Sequence, residues 1–168
     1  MQRLSRLFLS ILLLAGLATI QACHKAEDAQ STDEKAAIKA AYDQYSEVFA
    51  KKDLNAIKAM YAPDAFIFDV AKPGEYHSPD ELFKGDSLPP GPALAVISEL
   101  GIAVEGSVAY THYYDAETVT QADGTKDRLV YRITDVLRKR NGKWVVVMEH
   151  LSFPIDPKTG KADLSSKP

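Results

Sequence analysis

Few residues in this chain could move a proton, and they sit in separate elements. Asp135, His112 and His150 fall in three stretches of strand-like sequence. A carboxylate beside an imidazole in an apolar setting suits general acid–base chemistry. Burial raises the carboxyl pKa, a neighbouring imidazolium lowers it, and histidine titrates near neutrality. The same pair can equally be a satisfied polar contact that shapes a core. Tyr42 and Tyr45 on a helical stretch, with Tyr110, Tyr114 and Tyr131 on strands, add aromatic surface and hydroxyl donors. The four histidines are His24, His77, His112 and His150, at no spacing that calls for a metal, and no cofactor is expected. A nucleophilic-serine elbow, GxGxxG, P-loop and HExxH are all absent.

Composition bounds what can position these groups. The 168 residues are 46% hydrophobic and 26% charged, which fits one globular domain and excludes a disordered, collagen-like or coiled-coil chain. Twenty basic against 23 acidic residues leave no cationic surplus for a phosphate backbone, so no nucleic-acid partner is expected. One cysteine forms no internal disulfide, zinc quartet or CxxC pair.

The periodicity predicts an α+β domain over residues 32–155. Ser31 and Glu34 offer a capping box to a first helix with Ile38, Ala41, Tyr42, Tyr45, Val48 and Phe49 at helical spacing. A second helix starts at Asp53, carries Leu54, Ile57, Met60 and Tyr61 on one side, and stops at Pro63. Residues 65–70 form a strand. Residues 71–95 hold five prolines and one short helix begun by Ser78-Pro79-Asp80-Glu81, and such a loop is often a lid. Four strands follow, at 95–105, 107–120, 127–140 and 143–153, with turn signals at Glu105-Gly106, Asp123-Gly124 and Asn141-Gly142. Residues 156–168 read as a flexible tail.

Hairpin arithmetic assigns faces. A two-residue turn at Asn141-Gly142 pairs Trp144 with Lys139, Val146 with Leu137, Met148 with Asp135, His150 with Ile133 and Ser152 with Tyr131. The other face then carries Val145, Val147, Glu149 and Leu151, with Glu149 diagonal to Arg132 and able to pair with it. A two-residue turn at Asp123-Gly124 puts His112 opposite Asp135, with Tyr110 and Tyr114 alongside, whereas a slip of one residue puts that set on the opposite face. Both faces are mixed, so pattern alone does not choose the inner one.

The element order and the run from Arg132 through Trp144 to VVVMEHLSFP resemble the nuclear transport factor 2-like superfamily, in particular its SnoaL-like, ketosteroid isomerase-related branch. The resemblance implies a cone: a curved antiparallel sheet wrapped around a long N-terminal helix, with the Trp144 face inward. It makes Trp144, Met148, His150 and Ser152 cavity residues, with Met148 standing where many relatives place a histidine. It also makes Asp69 a second candidate base, while His77, by its place in the proline-rich loop, is a candidate lid residue or simply exposed. Tyrosine hydroxyls would then stabilise an enolate beside Asp135.

The amino terminus reads as an address. Arg3 and Arg6 precede the uncharged run Leu7–Ala18, a secretory signal too short for a confident membrane span. Ile20-Gln21-Ala22-Cys23 resembles a bacterial lipobox, which implies cleavage after residue 22 and lipidation of Cys23. Ordinary cleavage near Ala22 is the alternative. The expected location is the cell envelope, lipid-anchored on the periplasmic side of the outer membrane or soluble in the periplasm. Residues 23–31 would be a tether, and the mature chain keeps 18 basic against 23 acidic residues.

Three functions follow. The first is binding of a small, largely apolar ligand in the cone. The second is a cofactor-free isomerase, dehydratase or cyclase using Asp135 with His150 or His112. The third is a homodimeric assembly subunit pairing through Val145, Val147, Leu151 and Phe153 on the outer face.

Overall fold

A computed structural model of the protein describes residues 31–71, 74–84, 93–121 and 123–164. The signal-like segment, Cys23 and all but the last residue of the tether lie outside the described residues, as does much of the proline-rich loop.

Helix α1 spans residues 31–50 and buries Ile38, Tyr42 and Phe49, while Ala41 faces solvent. Glu34 does not close a capping box. Its Oε2 accepts from Trp144 Nε1 at 2.6 Å and its Oε1 accepts from Lys139 Nζ at 2.5 Å, which ties the start of α1 to the last hairpin. The helix stops in a Schellman turn: Asp53 N donates to Val48 O, Lys52 N donates to Phe49 O, and Lys52 takes φ 55°. Asp53 then caps α2 (Leu54–Lys58) by accepting from Ala56 N at 3.0 Å. Pro63 is not what ends this helix. It lies inside β1 (Tyr61–Phe68), within the stretch where pairing to β6 shifts register.

The remaining elements are β2 (Glu75–Tyr76), α3 (Pro79–Leu82), β3 (Ala93–Glu105), β4 (Val108–Thr120), β5 (Lys126–Arg140) and β6 (Lys143–Ser152). Ser78 caps α3 as its sequence predicts, with Oγ accepting from Glu81 N at 3.1 Å. The six strands form one curved sheet in the order β2-β1-β6-β5-β4-β3. Strands β3 to β6 are the expected antiparallel meander, but β1 runs parallel to β6, so the sheet is mixed.

Two clusters hold helix to sheet. Ile38 and Tyr42 pack on Ala109, Tyr113, Ile133, Leu137 and Val146, and Phe49 and Ile57 pack on Ala93 and Ala95. The Tyr42 and Tyr113 rings meet edge to face at 5.1 Å, a geometry worth about 0.5–1.5 kcal/mol beyond burial.

Where a flexible tail is expected, residues 155–164 fold back on the sheet. Ile155 bridges Ala162, and Val130 N donates to Leu164 O at 2.7 Å, which covers the outer side of β5 at Val130.

Candidate functional site

Two small irregularities decide which side chains enter the cone. The β5–β6 hairpin keeps the expected register from Arg140↔Lys143 to Leu137↔Val146, then shifts by one, so that Val136 pairs with Met148 and Asp135 with Glu149. Val147 is the extra residue, a β-bulge. The β4–β5 loop has three residues between Gln121 and Thr125, not two, and it pairs Thr111 with Asp135 and His112 with Thr134. Both slips change which side chains share a face with Asp135.

The cone therefore differs from the predicted one. Asp135, Tyr42, Tyr45 and Tyr131 line a cavity of about 600 Å³, as expected. His150 is exposed and pairs with Thr134, its ring 5.6 Å from Phe68. His112 is exposed on the outer face, its imidazole lying so close over Gly101 that a Cβ there would fall 2.2 Å from Nε2. Tyr110 is 55% exposed, and Tyr114, Met148 and Ser152 pair with Arg132 or Val136 on that same outer side. Trp144 faces inward but is held by Glu34 at the base of the helix rather than in the cavity. His77 is exposed beside Phe66. The expected Glu149–Arg132 pair does not form, since Arg132 donates to Phe153 O at 3.0 Å and Glu149 points inward. Leu151 also lines the cavity instead of the outer face, where the exposed apolar residues include Phe68, Leu94, Val96, Val108 and Tyr110.

The floor of the cavity is a buried carboxyl pair. Asp135 Oδ2 accepts from the hydroxyls of Tyr42, Tyr113 (3.2 Å) and Thr111 (3.4 Å), and Tyr42 and Thr111 bond to each other at 2.8 Å. Glu149 Oε2 accepts from Tyr61 at 2.9 Å. Burial raises Asp135 to about 6 against the opposing pull of the hydroxyls. Burial and the charge of Asp135 push Glu149 well above the usual carboxyl range. Adjacent inward carboxyls that cannot both ionise share one proton. Burial also raises the Tyr42, Tyr61 and Tyr113 hydroxyls, which keeps them protonated as donors.

The wall above the floor is acidic too. Asp115 is 1% exposed, pairs across the sheet with Tyr131, and takes hydrogen bonds from Tyr45 and the Val96 backbone. Its Oδ1 has no partner among the described residues. Burial lifts Asp115 to about 7, and burial with the charges of Asp115 and Asp69 lifts Glu117 to about 8. Asp69, Asp115, Glu117, Asp127, Asp135 and Glu149 all line the cavity, and among the described residues no Lys, Arg or His does. Rings of Tyr42, Tyr45, Phe49, Tyr61, Tyr76, Phe83, Tyr113 and Tyr131 line it together with mostly aliphatic side chains. Asp69 and Ala71 after β1, Tyr76 in β2, and Leu82 and Phe83 at α3 also line it. Among the described residues no three side chains converge to ligate a metal ion.

Sequence reasoning missed Glu149, Asp115, Glu117, Thr111 and Tyr113. The signal was the period-two run Thr111, Tyr113, Asp115, Glu117, which shares a face with Asp135 once the loop is three residues long.

The sequence pattern of the SnoaL-like domain matches residues 38–156. Among solved structures, the chain is similar to a nuclear transport factor 2-like protein of unknown function from Pseudomonas putida KT2440. They share 25% identity over 82% of this chain and 99% of that one, with a TM-score of 0.69. A nuclear transport factor 2-like superfamily protein from Salmonella enterica serovar Typhimurium is 19% identical over 79% and 99% of the two chains, with a TM-score of 0.66. The association domain of C. elegans CaMKII is 16% identical over 73% and 98%, with a TM-score of 0.60. None of the curated proteins matches the chain.

Proposed function

Because the chain belongs to the SnoaL-like domain family, we propose that it works as a small-molecule binding module whose cone encloses a ligand with a largely apolar body. The cavity itself supports this most strongly: about 600 Å³, lined by eight aromatic rings and floored by hydroxyls hydrogen-bonded to a carboxyl pair. That volume and mix fit a drug-sized organic molecule. A thermal-shift screen of small aromatic and alicyclic compounds tests the reading. Leu129→Trp, which fills the cavity from β5, should abolish every hit while the domain stays folded. Hits that survive it would put binding elsewhere.

A second reading is supported by the floor alone. Asp135, raised to about 6 beside Glu149 and beneath three hydroxyls, is placed to exchange a proton with a carbonyl compound. In this reading Glu149 takes the role expected of His150 or His112. Exchange of the α-protons of a cyclic ketone for deuterium, followed by NMR, should then be accelerated by the protein and not by Asp135→Asn. The envelope location, the lipid on Cys23 and a homodimer belong to the same proposal. Metabolic labelling with a fatty acid, lost in Cys23→Ala, tests the anchor, and sedimentation tests the dimer.

A further inference from the structure

Floor and wall differ in one respect that bears on the ligand. On the floor, Asp135 Oδ1 meets no donor among the described residues, but Asp135 Oδ2 collects hydroxyls and Glu149, whose pKa is pushed well above the usual carboxyl range, lies beside it with a proton to share. On the wall, Asp115 is as deeply buried and its Oδ1 likewise meets no donor among the described residues, but it has no such cluster. A buried polar atom left without a partner costs about 1–3 kcal/mol. Buried carboxylates without a counter-charge either take up a proton or wait for a cation. No described basic side chain lines the cavity, and no three described side chains converge on a metal-sized site. What is missing is a positive charge that carries its own N–H donors and tolerates aromatic walls.

We propose that the cavity takes an organic ammonium ion, its nitrogen seated at Asp115 and Glu117 between the rings of Tyr45 and Tyr131 and its apolar body among the remaining rings. The inference rests on the reading of the cavity as a ligand site and names the class of ligand. An ammonium N–H supplies the donor that Asp115 Oδ1 lacks. The Tyr45 and Tyr131 faces add cation–π attraction, about 0.5–2 kcal/mol when desolvated. An anionic ligand would meet six acidic side chains and, among the described residues, no cation, and a neutral one would leave the Asp115 oxygen as it is.

The groups that face Asp115 also set a pH dependence. They are Tyr45 from α1, Asp69 after β1, Glu117 on the same strand, Tyr131, Asp127 and Asp135 from β5, and Glu149 from β6, while the Val96 backbone N–H comes from β3. None is cationic, so the empty wall holds protons near neutrality and must release them to bind an ammonium ion. Affinity for a permanently charged amine therefore rises with pH through the range where Asp115 and Glu117 titrate, about 7 to about 8.

Calorimetry with the whole protein, 2-phenylethylamine and its uncharged analogue 2-phenylethanol separates the possibilities. At about pH 8.5 the amine, still protonated there, should bind at least ~10-fold more tightly than the alcohol, and its affinity should drop ~10-fold by about pH 6 while that of the alcohol stays level. Asp115→Asn with Glu117→Gln should erase the preference and leave alcohol binding intact. If the double variant fails to fold, Asp115→Asn alone should lower the preference several-fold. Equal binding of the two compounds overturns the inference and leaves the cavity reading standing. Binding of neither, with no thermal-shift hit from the uncharged screen, overturns both. A preference for the amine that survives the substitutions places the cation elsewhere and also overturns the inference.

Discussion

The floor and the wall of this cavity carry the same functional group in different surroundings. Asp135 and Asp115, one strand apart and equally buried, each keep an Oδ1 without a partner among the described residues, but Asp135 Oδ2 collects hydroxyl donors and has the Glu149 carboxyl beside it, whereas Asp115 has no such cluster. A buried carboxyl that anchors a cluster of hydroxyls is part of the architecture and holds its donors in place. One without such a cluster is a vacancy for something the chain does not supply. The comparison predicts that removing the two side chains has unlike consequences.

The largest effect is expected at the floor. Asp135→Ala strands the hydroxyls of Tyr42, Tyr113 and Thr111, and should cost about 2–4 kcal/mol in denaturant unfolding. Asp115→Ala, measured the same way at about pH 8.5, should be neutral or stabilising, because it removes a desolvated charge. Similar losses from the two would erase the distinction between floor and wall.

The next effect is in pH. Asp115 at about 7 and Glu117 at about 8 both lie above their ordinary values, so between about pH 4 and pH 8 the folded chain binds more protons than the unfolded one. Stability contributed by these groups is complete below about pH 4 and is lost as pH rises through 7 and 8. The melting temperature of the empty protein should fall by several degrees from about pH 5 to about pH 8.5, and Asp115→Asn with Glu117→Gln should flatten that slope. A rise over the same interval would mean that the wall is not desolvated.

A smaller change sharpens the floor. Tyr42→Phe removes the hydroxyl that both lowers Asp135 and bonds Thr111, and should cost about 1–2 kcal/mol while raising the Asp135 pKa further. The smallest effect is at His150. It is exposed on the outer side, so His150→Ala should change stability by about 0.5 kcal/mol or less and leave ligand binding untouched. A loss of binding there would return the histidine to the site.

The sequence was legible where punctuation and period agree. Asn141-Gly142 makes the expected two-residue turn, the four meander strands run close to their predicted limits, and α1 buries Ile38, Tyr42 and Phe49 at helical spacing. It was illegible where a change of register leaves no mark. Val145-Val146-Val147-Met148 is apolar at every position, so nothing in its alternation betrays the bulge that brings Glu149 inward. On β4, Tyr110 to Tyr114 puts ring-bearing residues on both faces, and only the length of the loop before Thr125 decides between His112 and Thr111. Asp135 and the helix tyrosines were found because they do not depend on either slip. The imidazole partners were lost because they do.

A carbon-13 NMR titration of the side-chain carboxyls in the empty protein tests the account most directly. It predicts that Asp135 titrates at about 6, Asp115 at about 7 and Glu117 at about 8, with Glu149 still protonated well above the usual carboxyl range. If all four titrated near 4, the carboxyls would be solvated, the floor would share no proton, and the cavity described here would not exist in solution.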